Sequence, residues 1–76
     1  MNNKSLTMWV IYDHPKDHPN YFVARRHEVF RNASKATGEH VVSKDLKKLR
    51  KMLEDGGKVR ITRDPNDDPV IIETWI

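Results

Sequence analysis

The sequence contains no cysteine, only three glycines, and no apolar run of the length that spans a membrane. The absence of cysteine excludes a disulfide framework and any zinc site built on thiolates. The first apolar run, residues 8–12, ends at Asp13 after five residues, so we expect neither a signal peptide nor a membrane span. We therefore expect a cytoplasmic protein in which residues 1–7 form a disordered tail.

Charge is distributed unevenly along the 76 residues, which carry a net charge of +3. Residues 31–63 contain ten basic and four acidic side chains (+6), whereas residues 64–76 contain four acidic and no basic side chains (−4). A basic central segment favours an anionic partner such as nucleic acid. The alternative is a dipolar fold in which the acidic end neutralises the basic middle.

Hydrophobic periodicity divides residues 8–76 into elements of a single domain. Short alternating or apolar runs bounded by turn residues predict strands. Leucines at helical spacing predict a helix, with Ser43 as its N-cap and the Gly56-Gly57 pair as its C-terminal stop. The polar segment 31–40 is interpreted as a loop. We expect an α+β fold with two layers, in which one helix packs on a four-stranded, mainly antiparallel sheet in ββαββ order. The predicted strands are residues 8–12, 20–30, 58–62 and 70–76, the helix is 44–55, and the core is Val10, Phe22, Leu46, Leu49, Leu53, Val59, Ile61 and Ile72.

Three segments carry a resemblance to known sequences. The combination of YDHPKDHPNYFVARR, DLKKLRKML and DDPVIIETWI is similar to a group of small bacterial and prophage-type proteins of unknown function. The similarity covers residues 9–76 and implies one intact domain. It implies no activity, cofactor or site residues.

The doublet DHPKDHP, residues 13–19, places His14 and His18 four positions apart. Prolines follow both histidines and exclude a helix, and four extended residues span roughly 13 Å, which is too far for two ligands of one metal ion. We interpret the doublet as a stiff connector between strands. A metal site completed by a further histidine or carboxylate, and contact with a partner, are the alternatives, and we expect no bound metal or other cofactor.

A second pattern concerns the sheet, because one helix covers only one face of it. The first and last predicted strands are apolar on both faces, which leaves apolar area uncovered. We expect the uncovered face to be a partner interface, with homodimerisation as the first candidate. Cover by a loop is the alternative. The predicted interface residues are Trp9, Ile11, Ile71 and Trp75.

The predicted helix is amphipathic, with leucines on one side and lysines on the other. The lysines form a basic patch that fits a phosphate backbone or an acidic protein surface, and a solvated surface is the alternative. No sequence motif for reading bases is present. The residues of this patch are Lys44, Lys47, Lys48 and Lys51.

The segment ARRHE, residues 24–28, offers an enzymatic alternative. Histidine, arginine and glutamate supply the proton transfer and charge stabilisation of metal-independent phosphodiester cleavage. Strand geometry places Arg25 and His27 on one face and Arg26 and Glu28 on the other. The sequence thus predicts a small non-enzymatic interaction module that self-associates or binds a protein or nucleic acid; a nuclease and a phosphate-backbone binder are the alternatives.

Overall fold

The computed structural model of the chain describes residues 6–62, 65–66 and 68–76. The described part contains five strands and one helix, so the predicted α+β class with a single helix is confirmed. In chain order the elements are β1 (Leu6–Asp13), β2 (Phe22–Phe30), β3 (Ala33–Ser43), α1 (Leu46–Asp55), β4 (Arg60–Thr62) and β5 (Ile71–Trp75).

The five strands form one open sheet in the order β3-β2-β1-β5-β4. Every neighbouring pair is antiparallel, with β1 at the centre between β2 and β5. The helix follows β3 at one edge and precedes β4 at the other edge. Its connection therefore carries the chain across one face of the sheet, which is how a single helix covers the middle strands.

The prediction of four strands is wrong, because the segment interpreted as a loop belongs to β3. This strand pairs with β2 along its length, from Phe22 opposite Ser43 to Phe30 opposite Ala33. Its residues are exposed except for Ser43. An edge strand with little burial needs no hydrophobic alternation, so the polar sequence gave no strand signal. A register shift occurs near Gly38, whose φ of +88° suits glycine.

The helix starts two residues later than predicted and is capped by Asp45. The Asp45 carboxylate accepts the backbone N–H of Lys47 at 3.0 Å, while the Ser43 hydroxyl accepts the backbone N–H of Asp45. At the other end, the N–H groups of Gly57 and Lys58 donate to the carbonyls of Glu54 and Leu53. With Gly57 at φ +80°, this pattern is a Schellman motif, so the predicted glycine stop is confirmed.

The core lies between α1 and the three middle strands. Its buried members are Ile11, Ala24, Leu49, Leu53 and Trp75, and Trp9, Phe22, Leu46 and Ile72 pack against them. The prediction that Val59 and Ile61 belong to the core is wrong, since they are 65% and 43% exposed. Arg60 lies opposite the buried Trp75, whereas Ile61 lies opposite Thr74 and Val59 opposite Ile76. Strand alternation therefore places Val59 and Ile61 on the face of the sheet away from the helix.

Two predictions at the chain's ends and surface can be placed on this fold. Of the predicted disordered tail, residues 1–5 lie outside the described residues, whereas Leu6 and Thr7 are the first residues of β1 and pair with β2. Within the described part of the chain, no helix has the length and hydropathy needed to cross a bilayer.

Candidate functional site

Three of the four predicted interface residues, Trp9, Ile11 and Trp75, lie in or against the core beneath the helix. Ile11 is fully buried and Trp75 is 3% exposed, and both belong to the core formed with the leucines of α1. Trp9 packs against this core, and Ile71 is half-buried in β5. The prediction that these residues form an uncovered face is therefore wrong. Both faces of β1 are apolar, and the helix covers the face that was expected to be open.

A buried polar network fixes the helix on this face. Glu73 is 4% exposed, and its carboxylate accepts the Nε and Nη2 groups of Arg50 at 3.1 and 2.8 Å. The Trp75 indole N–H donates to the same carboxylate at 2.7 Å. Burial alone raises the pKa of Glu73, but the hydrogen bonds from Arg50 and Trp75 outweigh it and hold the pKa below its usual value.

The opposite side of α1 presents the basic patch to solvent. Lys47, Lys48 and Lys51 are all exposed, as is Lys44 just before the helix. Their spacing of three and four residues places them on one side of the helix, away from the leucines that contact the sheet. The structure therefore brings the four predicted lysines together on one accessible surface, which we call the lysine face.

The lysine face has few internal partners to neutralise it. Lys51 lies 3.8 Å from Asp55, an exposed pair whose two side chains are 79% and 66% accessible. The Lys44 ammonium lies 5.8 Å from the centre of the Tyr21 ring. Across the described residues, Lys47 and Lys48 form no ion pair.

The helix dipole adds to the positive charge at this end. The first turn contains no acidic residue, and Lys47 and Lys48 lie there, next to the partial positive charge of the N-terminal N–H groups. Asp45 satisfies one of these N–H groups and contributes the nearest negative charge. The N-terminal half of α1 is thus an electropositive surface that an anion stabilises.

The Asp-His-Pro doublet folds as two successive turns. The N–H of His18 donates to the Pro15 carbonyl at 2.9 Å, and the N–H of Tyr21 donates to the His18 carbonyl at 3.2 Å. The His14 ring lies against Phe22, whereas the His18 ring lies against His40. The two histidines therefore have different surroundings, and within the described residues no group of three or more metal-binding side chains is formed.

The nuclease residues suggested by ARRHE are divided between the two faces of the sheet, as strand geometry predicts. Arg26 forms ion pairs with Glu28 at 2.5 Å and with Glu39 at 2.7 Å. On the other face, Arg25 pairs with Asp17. The four side chains do not share one site, so this segment does not assemble the predicted constellation.

His27 is the unusual residue of the second face. Its Nε2 atom is buried and has no hydrogen-bond partner within the described residues. Burial, with a smaller effect of the nearby Arg25 charge, lowers the pKa of His27. The imidazole is therefore kept neutral at neutral pH. A buried and neutral imidazole is typical of a histidine that packs within the structure.

Comparison with known proteins provides no assignment. No family model, curated protein or solved structure matches the chain. The function must therefore be inferred from the side chains that this fold brings together.

Proposed function

We propose that the protein binds the phosphate backbone of nucleic acid through the lysine face of α1. The observation that carries the proposal is the accessibility of Lys44, Lys47, Lys48 and Lys51 on one side of a helix whose other side is fixed on the sheet. Phosphate contacts from lysine supply most of the sequence-independent affinity for nucleic acid.

The helix is held rigidly enough to present these charges in a fixed arrangement. Leu49 and Leu53 are buried, and Arg50 forms its two-point ion pair with Glu73 on β5. Lysines on such a helix keep their spacing when a ligand binds, and only the side chains lose conformational freedom. Because the charges keep a fixed spacing over several residues, they match the repeated phosphates of an extended polyanion better than an isolated small anion.

The composition of the lysine face indicates binding without base recognition. Lysine acts as a point charge, whereas specific base contacts are typically made by arginine, asparagine or glutamine in a groove. Arg50, the arginine of this helix, is occupied by Glu73. We therefore expect similar affinities for different sequences at equal salt.

Fluorescence anisotropy with labelled duplex DNA and RNA at 50 mM salt tests the proposal. Removing two phosphate contacts with Lys47→Gln and Lys48→Gln is expected to weaken binding by about tenfold or more. Arg31→Gln with Lys35→Gln is the matched control, because it removes the same charge at the far end of the β2–β3 hairpin. The control is expected to bind nearly as well as the wild-type protein.

Two outcomes contradict the proposal. One is the absence of binding to either nucleic acid at 50 mM salt. The other is an equal loss of affinity in both double variants, which shows that net charge alone attracts the polyanion. A lysine-dependent affinity for an acidic protein with none for nucleic acid identifies the patch as a protein-binding surface instead.

A further inference from the structure

A pocket of about 390 Å³ lies where the Asp-His-Pro doublet meets the start of β5. Three of its lining residues have functional side chains of different chemistry: an imidazole, an ammonium group and a carboxylate. The lining residues are His14, Pro15, Lys16, Asp68 and Val70.

His14 is held in place by both its backbone and its side chain. Its φ of +49° lies in the left-handed region, which is uncommon for a residue other than glycine, and its N–H donates to the Tyr21 carbonyl. The ring Nδ1 lies 2.5 Å from the Asp13 carboxylate. Because an ionised carboxylate only accepts hydrogen bonds, Nδ1 donates to Asp13, and Nε2 is the ring nitrogen that can donate a second proton to a ligand when the ring is an imidazolium.

Asp68 and Lys16 bring opposite charges to the same pocket without neutralising each other. One oxygen of Asp68 accepts the N–H of Val70 at 3.0 Å, which orients the carboxylate, and among the described residues its other oxygen has no hydrogen-bond partner. Within the described residues, Lys16 forms no ion pair. Both groups are therefore available to a bound molecule.

The pocket lies at the end of the sheet that carries the lysine face. The His14 ring packs edge-on against Phe22, with ring centres 4.8 Å apart, and Phe22 pairs with Ser43 at the end of β3. Lys44 follows directly and reaches over Tyr21 of the same loop. A polyanion on the N-terminal half of α1 is therefore adjacent to the loop that forms the pocket.

We propose that this pocket cleaves RNA by transfer of the phosphoryl group to the neighbouring 2′-oxygen, with Asp68 as general base, His14 as general acid and Lys16 as the cation on the phosphate. The substrate class rests on the proposed function, whereas the acid, base and cation follow from the pocket alone. Proton transfer by positioned groups accelerates such reactions by about 10²–10⁴-fold.

The proposed step conserves atoms and charge. Asp68 removes the proton of the 2′-hydroxyl, and the 2′-oxygen forms a bond to phosphorus. The bond from phosphorus to the 5′-oxygen breaks, and the 5′-oxygen takes the Nε2 proton of the His14 imidazolium, which leaves a neutral ring with its remaining proton on Nδ1 beside Asp13. Lys16 stabilises the charge that accumulates on the phosphate oxygens. The products are a 2′,3′-cyclic phosphate and a free 5′-hydroxyl, and proton exchange with water restores Asp68 and His14.

A cleavage assay in EDTA with a fluorophore–quencher RNA, analysed by mass spectrometry for the cyclic phosphate, tests the inference. His14→Asn is the variant of choice, because asparagine tolerates the left-handed backbone. It is expected to lower the cleavage rate by about 100-fold or more. His18→Asn, in the same loop but outside the pocket lining, is the matched control and is expected to cleave at the wild-type rate. Asp68→Asn and Lys16→Gln are expected to be slow as well.

Binding is measured separately with 2′-O-methyl RNA of the same sequence, which lacks the attacking hydroxyl. Tight binding of this RNA with no cleavage of the normal RNA overturns the inference and leaves the proposed function intact. Cleavage at equal rates by wild type and His14→Asn assigns the activity to a contaminant and also overturns the inference. Loss of cleavage in His14→Asn with unchanged binding and circular dichroism supports it.

Discussion

Arg50 of α1 and Glu73 of β5 form a two-point ion pair that joins the helix to the sheet beside the buried indole of Trp75. Removing one partner of a buried pair costs more than the pair itself contributes, because the other charge stays behind without compensation. The ion pair therefore contributes, together with the buried Leu49 and Leu53, to holding the lysine face in place relative to the sheet.

Arg50→Ala is expected to lower the free energy of unfolding by about 2–3 kcal/mol, at or below the low end of the range for buried pairs, since the arginine side chain is one-third exposed. Lys51→Ala removes only the exposed pair with Asp55 and is expected to change stability little. Urea denaturation measures both. Equal effects of the two substitutions contradict a structural role for the Arg50–Glu73 pair.

Stability is expected to fall in acid because the pKa of Glu73 is lower in the folded chain. The unfolded chain binds the proton first, so the contribution of Glu73 is complete above its ordinary pKa of about 4.3 and is lost as pH falls below that value. Glu73→Gln is expected to reduce this loss in denaturation curves between pH 6 and pH 3.

Asp17 needs a control in the same experiment. Desolvation alone raises the pKa of Asp17, but the hydrogen bond from Arg25 lowers this pKa overall. Asp17 therefore also contributes stability that is lost in acid, in the same pH window as Glu73. Asp17→Asn separates the two carboxylates. An acid profile that Glu73→Gln leaves unchanged shows that Glu73 is not the group that titrates.

As the pH falls, His27 is expected to cause a separate loss of stability in a higher pH range than Glu73. Its folded pKa is lowered, so the unfolded chain takes up the proton first, and stability falls as pH drops below the ordinary histidine value of about 6.5. His27→Leu removes both the titration and the unpaired buried nitrogen, and about 1 kcal/mol of added stability is expected at neutral pH. Thermal unfolding at pH 7.5 and 5.5 tests this. A variant with the same pH dependence as wild type contradicts it.

The helix cap is expected to depend on Asp45, not on the predicted Ser43. Asp45→Ala removes the acceptor for the Lys47 N–H and is expected to cost about 1 kcal/mol in denaturant unfolding. Asp45→Asn keeps an acceptor and is expected to retain most of the stability. An alanine variant as stable as the asparagine variant contradicts this assignment of the cap.

Local sequence signals predicted the elements that have a hydrophobic period or a definite end. The predicted helix starts within two residues of the observed start, because the leucine spacing indicates its extent and the glycine pair at 56–57 indicates its end. Strands β1, β2 and β5 were recognised by their apolar and β-branched residues. The edge strand β3 was missed because it buries almost nothing, so its pairing depends on β2 and leaves no mark in its own hydrophobicity.

The face of the sheet that the helix covers was not determined by the sequence pattern. Both faces of β1 are apolar, and the choice depends on contacts between distant residues, such as Arg50 with Glu73. The basic patch was predicted because helical spacing alone aligns the lysines. The pocket at His14 was missed because it needs the left-handed backbone and the approach of Asp68, a residue 54 positions away. A carboxylate in a turn-rich segment gives no signal of that approach.

The salt dependence of duplex DNA binding tests the central claim most directly. If the four lysines of the lysine face contact phosphates, a plot of log Kobs against log salt is expected to have a slope of about −3.6, which is about a 150-fold loss of affinity between 50 and 200 mM salt. Lys47→Gln with Lys48→Gln is expected to reduce the slope to about −1.8, and Arg31→Gln with Lys35→Gln to leave it unchanged. A slope near zero, or one that the lysine substitutions do not change, contradicts the account.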